Sequence, residues 1–110
     1  PIFPQTQLES VTVETLQATT LDLLVNTTTV GMESGESPLD LSQCQEIEHL
    51  ADIIYSPVQT TLLKQAEELS IPAINGSGML LYQGCGAFTF WTGKQAPETV
   101  MQEQLLGWKE

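Results

Sequence analysis

The residues able to hold a ligand are mostly uncharged, and they cluster just after short apolar runs. Asn26-Thr27-Thr28-Thr29 follows residues 21–25, Tyr55-Ser56 follows residues 52–54, and Asn75-Gly76 follows residues 72–74. In an open parallel sheet the binding crevice lies beyond the carboxyl ends of the strands, which would put these stretches on one edge. Amides and hydroxyls gathered there suit an amide-bearing or hydroxyl-rich ligand, and Gly76 and Gly78 would let it come close to the backbone. Gln83 stands four residues after Met79, on the same face of a predicted helix, so that Met79 offers an apolar wall and Gln83 a reaching amide. A glutamine inside an apolar helix must be hydrogen-bonded or hydrated. It either reaches the ligand or bonds a neighbouring backbone group. The same duality holds for residues 26–29, which form a ligand site or simply a strand end rich in turn formers. Tyr55 is either a ligand contact or a half-buried core aromatic with its hydroxyl in water.

Chemistry that needs charged or nucleophilic sets finds little support. His49 is the single histidine and is given no role; with only Lys64, Lys94 and Lys109 as cations, no Ser-His-Asp or Cys-His set and no obvious general base emerges. Cys44 and Cys85 lie far apart without CxxC spacing, so no metal is expected and a reduced, cytoplasmic setting fits better than a disulfide. No GxGxxG-type turn joins a strand to a helix, and there is no arginine for a 2′-phosphate, so the diphosphate cradle of a dinucleotide fold is missing. Fourteen acids against three lysines give a formal charge of −11, scattered as solvated faces, which excludes a basic nucleic-acid surface. Residues 71–93 are nearly uncharged but too rich in glycine and polar amides for a membrane span. Taken alone, the chain is not expected to catalyse.

The elements that must position these residues follow from pattern. Residues 1–7 read as a frayed lead-in, and Thr12 caps a short helix through Gln17. Residues 21–25 form a strand buried on both faces, residues 31–38 a loop, and residues 41–48 a turn or short helix that runs up to His49. Asp52-Ile53-Ile54-Tyr55 is the second strand, stopped by Ser56-Pro57. Leu62, Leu63, Ala66 and Leu69 make the stripe of an amphipathic helix over residues 60–69. Residues 72–75 are a third strand, and Gly76-Ser77-Gly78 leads into a helix from about Met79 to Trp91 that Gly93 caps. Gly84 and Gly86 inside it point to close packing. A tail with Val100, Met101, Leu105 and Trp108 is helical, and Trp108 needs a surface to dock on. The alternation predicts an α/β fold: the C-terminal half of a Rossmann-like doubly wound parallel sheet of about three strands with flanking helices. One partial domain covers residues 1–110, with 94–110 a helical tail. The chain starts without methionine, which suggests that it begins in mid-protein or after processing.

These residues carry a resemblance. Asn26-Thr27-Thr28-Thr29-Val30-Gly31-Met32 resembles the Asn-x-Thr-x-x-Gly-Met segment of the shikimate dehydrogenase family, and Asp52-Ile53-Ile54-Tyr55-Ser56-Pro57 its Asp-x-x-Tyr-x-Pro. Thr61-Leu62-Leu63, then Asn75-Gly76-Ser77-Gly78-Met79-Leu80 with Gln83, Ala87-Phe88 and Trp91-Thr92-Gly93 extend the likeness from about Leu21 to Met101. Thr29 stands where the family often has proline or serine, and Ser70 where glycine is common before the last strand, which bears on the helix cap.

The resemblance implies NADPH-dependent reduction of 3-dehydroshikimate to shikimate, on the route to aromatic amino acids through chorismate. It implies that Thr28, Thr29, Ile53, Gly76, Met79 and Leu80 surround the nicotinamide half of NADP, and that Tyr55 and Gln83 reach the substrate. It places the catalytic lysine and aspartate in an N-terminal domain that is absent here. Two other readings stay open: a non-catalytic α/β binding module that keeps the cofactor half-site, and a quinate/shikimate dehydrogenase relative using NAD. A half sheet also implies an open edge and an uncovered apolar face, hence self-association or marginal stability.

Overall fold

A computed structural model describes residues 4–33 and 35–109, with side chains through residue 105. Pro1 to Phe3 of the expected lead-in, Ser34 of the expected loop and the docking of Trp108 lie outside the described residues. Helix α1 (Val13–Gln17) is capped as expected: Thr12 Oγ1 accepts from the Thr15 amide at 3.2 Å. Strands β1 (Leu21–Asn26), β2 (Ile47–Asp52) and β3 (Ala73–Ile74) form one parallel sheet in the order β1-β2-β3. Leu24 lies beside Leu50, and Leu50 beside Ala73. A 3-10 turn (Leu41–Gln43) precedes β2, helix α2 (Thr61–Glu68) joins β2 to β3, and helices α3 (Ser77–Thr92) and α4 (Glu98–Lys109) complete the chain.

The core lies on one side of the sheet. Leu62, Leu63 and Ala66 of α2 pack with Leu50, Leu39 and Leu41, as the helical stripe predicts. Leu69 does not join them: it is the C-cap and 46% exposed. Beyond it Ser70 takes φ 59°, and the amides of Ser70 and Ile71 bond back to Glu67 and Ala66 at 3.1 and 2.8 Å. That is a left-handed helix stop carried by a residue with a Cβ, where the resemblance leads one to expect glycine.

The other side of the sheet is open. Leu23, Val25 and Ile74 are 56%, 43% and 69% exposed, so β1 is covered on one face rather than on two. The same open face explains why pattern alone misplaces the second strand. It spans residues 47–52, not 52–55, and His49 belongs to it, beside Leu23, instead of to a loop or short helix. A face in water accepts histidine, so the apolar signal of a buried strand is absent there. Ile53, Ile54 and Tyr55 follow the end of β2.

Helix α3 is apolar almost all round, yet Leu81 is its single buried residue. It pairs with α4, where a Cβ on Gly84 would come within 3.3 Å of Met101 Cε. Gly86 has nothing within 4 Å of a notional Cβ, so the expected packing holds at Gly84 only. Phe90 and Trp91 are 87% and 80% exposed. The radius of gyration is 16.5 Å, against about 13 Å for a compact chain of this length. The helical pair therefore extends away from the sheet. Gly93, at φ 69°, ends α3 as the sequence predicts.

Candidate functional site

The carboxyl edge of the sheet is built from side chains that bond to one another. Asn26 and Asp52 end neighbouring strands in register, and Asn75 follows Ile74, which lies beside Ala51. Asn26 Oδ1 accepts from the Thr28 amide at 3.0 Å and from its hydroxyl at 2.7 Å; Asn75 Oδ1 does the same with Ser77, at 3.0 and 2.6 Å. Both are turns in which a side-chain oxygen captures the backbone two residues on. The Asn75 amide donates to the Val58 carbonyl at 3.1 Å. Asp52, 1% exposed, ties three segments together. Its Oδ1 accepts from Asn26 Nδ2 at 3.2 Å and from the Ile54 amide at 3.1 Å, and its Oδ2 accepts from Thr60 Oγ1 at 2.8 Å. Thr60 in turn caps α2 by accepting from the Leu63 amide at 3.2 Å.

Above this network lies a cavity of about 610 Å³. One wall is Thr27, Thr28 and Thr29 after β1; another is Ile53, Ile54, Tyr55 and Ser56 after β2; Met79 of α3, with Met32 and Glu33 of the loop, completes it. The Ser56–Pro57 peptide bond at its margin is cis. Of the expected site residues, the structure thus brings Thr28, Thr29, Ile53, Tyr55 and Met79 together. A second cavity of about 480 Å³ on the open face of the sheet joins Gly76, Ile53 and Met79 with Ile74 and Tyr82. Leu80 is half-buried and lines neither. Gln83 is exposed, lines neither, and donates from Nε2 to the Leu80 carbonyl at 2.8 Å.

The structure gives Gly76 a packing reason for being glycine, beside the expected approach of a ligand. A Cβ there would overlap the Ile53 carbonyl outright, while the Gly76 amide donates to the Ile54 carbonyl at 2.9 Å. Gly76 lets α3 start against the peptide that follows β2. Asn26 is likewise committed inward and contributes shape rather than ligand contact. Two residues escape the sequence reading. Asp52 looks like the first residue of a strand, although an acid between apolar neighbours with a threonine eight positions on is a signal for a buried anchor. Glu33 sits in a glycine-bounded loop and gives no signal at all.

Thr28 shows what this edge can do chemically. Its hydroxyl proton goes to Asn26, one lone pair takes the Val30 amide at 3.2 Å, and the remaining lone pair is left for a donor such as an amide N–H. Among the described residues, no three His, Cys, Asp or Glu side chains gather closely enough to hold a metal ion. No described helix is long and apolar enough to cross a membrane. Parallel strands feeding one recess at their carboxyl ends, beside a helix start, define a ligand-binding α/β unit of the Rossmann-like kind.

The model of the shikimate 5′-dehydrogenase C-terminal domain matches residues 76–106. A shikimate dehydrogenase (NADP(+)) of Streptococcus pneumoniae is 48% identical over 85 residues, covering 76% of this chain and 30% of that protein. The crystal structure of shikimate 5-dehydrogenase from Thermus thermophilus in complex with NADP(H) and shikimate superposes with a TM-score of 0.77 at 33% identity, covering 89% of this chain and 37% of that one. Quinate dehydrogenase from Corynebacterium glutamicum in complex with NAD gives a TM-score of 0.71 at 31% identity, over 78% of this chain and 31% of that one. The chain is similar to the C-terminal part of shikimate dehydrogenases over 76% of its length, and it spans about a third of the length of these relatives.

Proposed function

We propose that this chain is the C-terminal part of the nucleotide-binding domain of a shikimate dehydrogenase, which uses NADPH to reduce 3-dehydroshikimate to shikimate in aromatic amino acid biosynthesis. Residues 1–110 are one partial domain, with 94–110 a helical tail. The lysine and aspartate of the acid–base chemistry belong to an N-terminal domain outside this sequence, so the chain alone turns over nothing. The carrying observation is the single recess into which the sheet edge and α3 deliver Thr28, Thr29, Ile53, Tyr55 and Met79.

The residues present fit one end of the cofactor. Ile53 and Met79 offer apolar walls to a flat ring, and the remaining lone pair of Thr28 suits a carboxamide N–H. Nothing in the sequence cradles a diphosphate. When bound, the cofactor supplies the hydride. The chain's own residues orient it: Thr28, Thr29, Ile53, Gly76, Met79 and Leu80 surround it, and Gly76 also sets where α3 begins. Tyr55 borders the same recess, and Gln83 stands exposed one turn beyond Met79, open to a substrate presented by the second domain. The setting is the cytoplasm. The unpaired edge of β1 and the open face beside it make the isolated chain self-associate.

The test uses the full-length parent. NADPH consumption with 3-dehydroshikimate is expected, and Tyr55→Phe and Gln83→Ala should each raise KM for shikimate about tenfold, the worth of a lost ligand hydrogen bond. KM for NADP should change less. A parent inert with shikimate under both NADP and NAD would defeat the reading. The likeness to the quinate dehydrogenase structure favours one second reading, a quinate enzyme using NAD, and the same assay with quinate decides it.

A further inference from the structure

The recess beyond β1 and β2 has one carboxylate, Glu33, among its lining residues, and no lysine. The other acids of the chain, whose formal charge is −11, lie outside the lining of the recess. Its other polar side chains are hydroxyls, and its walls include the Tyr55 ring and the thioethers of Met32 and Met79. A carboxylate, an aromatic ring and polarizable sulfur all favour one kind of ligand, a flat cation. A ring that changes charge with its oxidation state therefore meets a different environment in each state.

Oxidised nicotinamide carries one positive charge. When a substrate C–H bond breaks and its hydride forms a C–H bond on the ring, the two electrons cancel that charge and the ring becomes neutral. We propose that Glu33 makes this site select the oxidised nicotinamide ring over the reduced one. The proposal rests on the placement of nicotinamide in this recess. Glu33 is exposed, so its field acts through water-like dielectric. Unit charges about 6 Å apart in such a medium give a preference of about threefold. The preference must fade with salt, because the screening length shrinks from about 10 Å at 0.1 M to about 3 Å at 1 M. By linkage, tighter binding of the oxidised ring moves the bound equilibrium toward ketone reduction and slows release of the oxidised cofactor.

The probe is nicotinamide mononucleotide, oxidised or reduced, because its phosphate is common to both states and cancels in the ratio of affinities. The ¹⁵N-labelled chain is titrated with each form while the amides of Thr28, Tyr55 and Met79 are followed by NMR. The unaltered chain should bind the oxidised form about threefold more tightly at low salt, with the ratio falling toward one at 1 M salt. Glu33→Gln should bring the low-salt ratio to about one. Glu48→Gln removes the same charge from an exposed position near the amino end of β2 and should leave the ratio unchanged. If both forms perturb those amides but Glu33→Gln keeps the ratio, Glu33 does not select and only this inference fails. If neither form perturbs them, the placement of nicotinamide fails and takes the inference with it.

Discussion

Asn26 donates from Nδ2 to Asp52 Oδ1 at 3.2 Å, so the last side chain of β1 is bonded to the last side chain of β2. The donors that meet Asp52 are all neutral: this amide, the Ile54 backbone and the Thr60 hydroxyl. Removing the acceptor leaves several buried donors without partners, each worth about 1–3 kcal/mol. Asp52→Ala should therefore cost about 3 kcal/mol or more, read as a lower urea midpoint at an unchanged slope. Asp52→Asn should cost less, because it keeps the shape and one acceptor oxygen.

Two glycines of the last third should respond in opposite directions. Gly76→Ala drives a methyl into the Ile53 carbonyl and must displace α3 from the strand end, at a cost of about 2 kcal/mol or more. Gly86→Ala meets open space inside a helix and should stabilise by about 0.5–1 kcal/mol. Thermal melts of the two variants compare them directly.

Ser70 holds φ 59° to close α2, a conformation that L side chains adopt at a cost. Ser70→Gly should relieve that cost and raise stability by about 1 kcal/mol in urea. A loss of stability would mean that the serine side chain contributes more than the backbone cost it imposes.

Asp40 responds to pH in a defined direction. The Ser42 hydroxyl, the Ser42 amide and the Gln65 amide hold its carboxyl below the ordinary value of 3.8. The unfolded chain therefore takes up this proton at a higher pH than the folded one. The contribution is complete above the ordinary value and is lost as pH falls through the lower native one. Compared by denaturation from neutral to strongly acid pH, the unaltered chain and Asp40→Asn should differ by a constant amount above about pH 5 and converge below about pH 4. Nearby Cys44 has its thiol pushed up from 9.0 by burial first and by Asp40 second. Cys44 should react with disulfide reagents more slowly than an unperturbed thiol at mildly alkaline pH, and Asp40→Asn should quicken it modestly.

The open face predicts association. Leu23 and Val25 lie on it beside an unpaired strand edge. Leu23→Lys and Val25→Lys should lower the sedimentation-average mass of the chain while leaving its urea midpoint within about 0.5 kcal/mol, since neither side chain is in the core. An unaltered chain that stays monomeric at high concentration would remove the premise.

Much of this molecule can be read from its residues, and the failures share a cause. The stripe Leu62-Leu63-Ala66, the cap at Thr12 and the stop at Gly93 are local signals with local outcomes, and they hold. The residues that follow the strands also meet, since Thr28 and Tyr55 line one recess with Met79. The limits of β2 escape because hydrophobicity reports covering, and one face of this sheet has no cover. The reason for Gly76 escapes because one backbone approaching another leaves no mark beyond a glycine. Glu33 escapes because its place in the recess depends on the path of a loop between Gly31 and Gly35, both of which hold positive φ.

The turns at Asn26 and Asn75 have a consequence for portability. Each fixes its strand exit through an oxygen and a hydroxyl only two residues apart, so the bend needs no distant scaffold to define it. Corners of that sort travel with their own few residues. Transplanted to the end of another parallel strand, Asn-Thr-Thr or Asn-Gly-Ser would bring its curvature along, whereas the join between strands made by Asp52 would have to be rebuilt from the new neighbours.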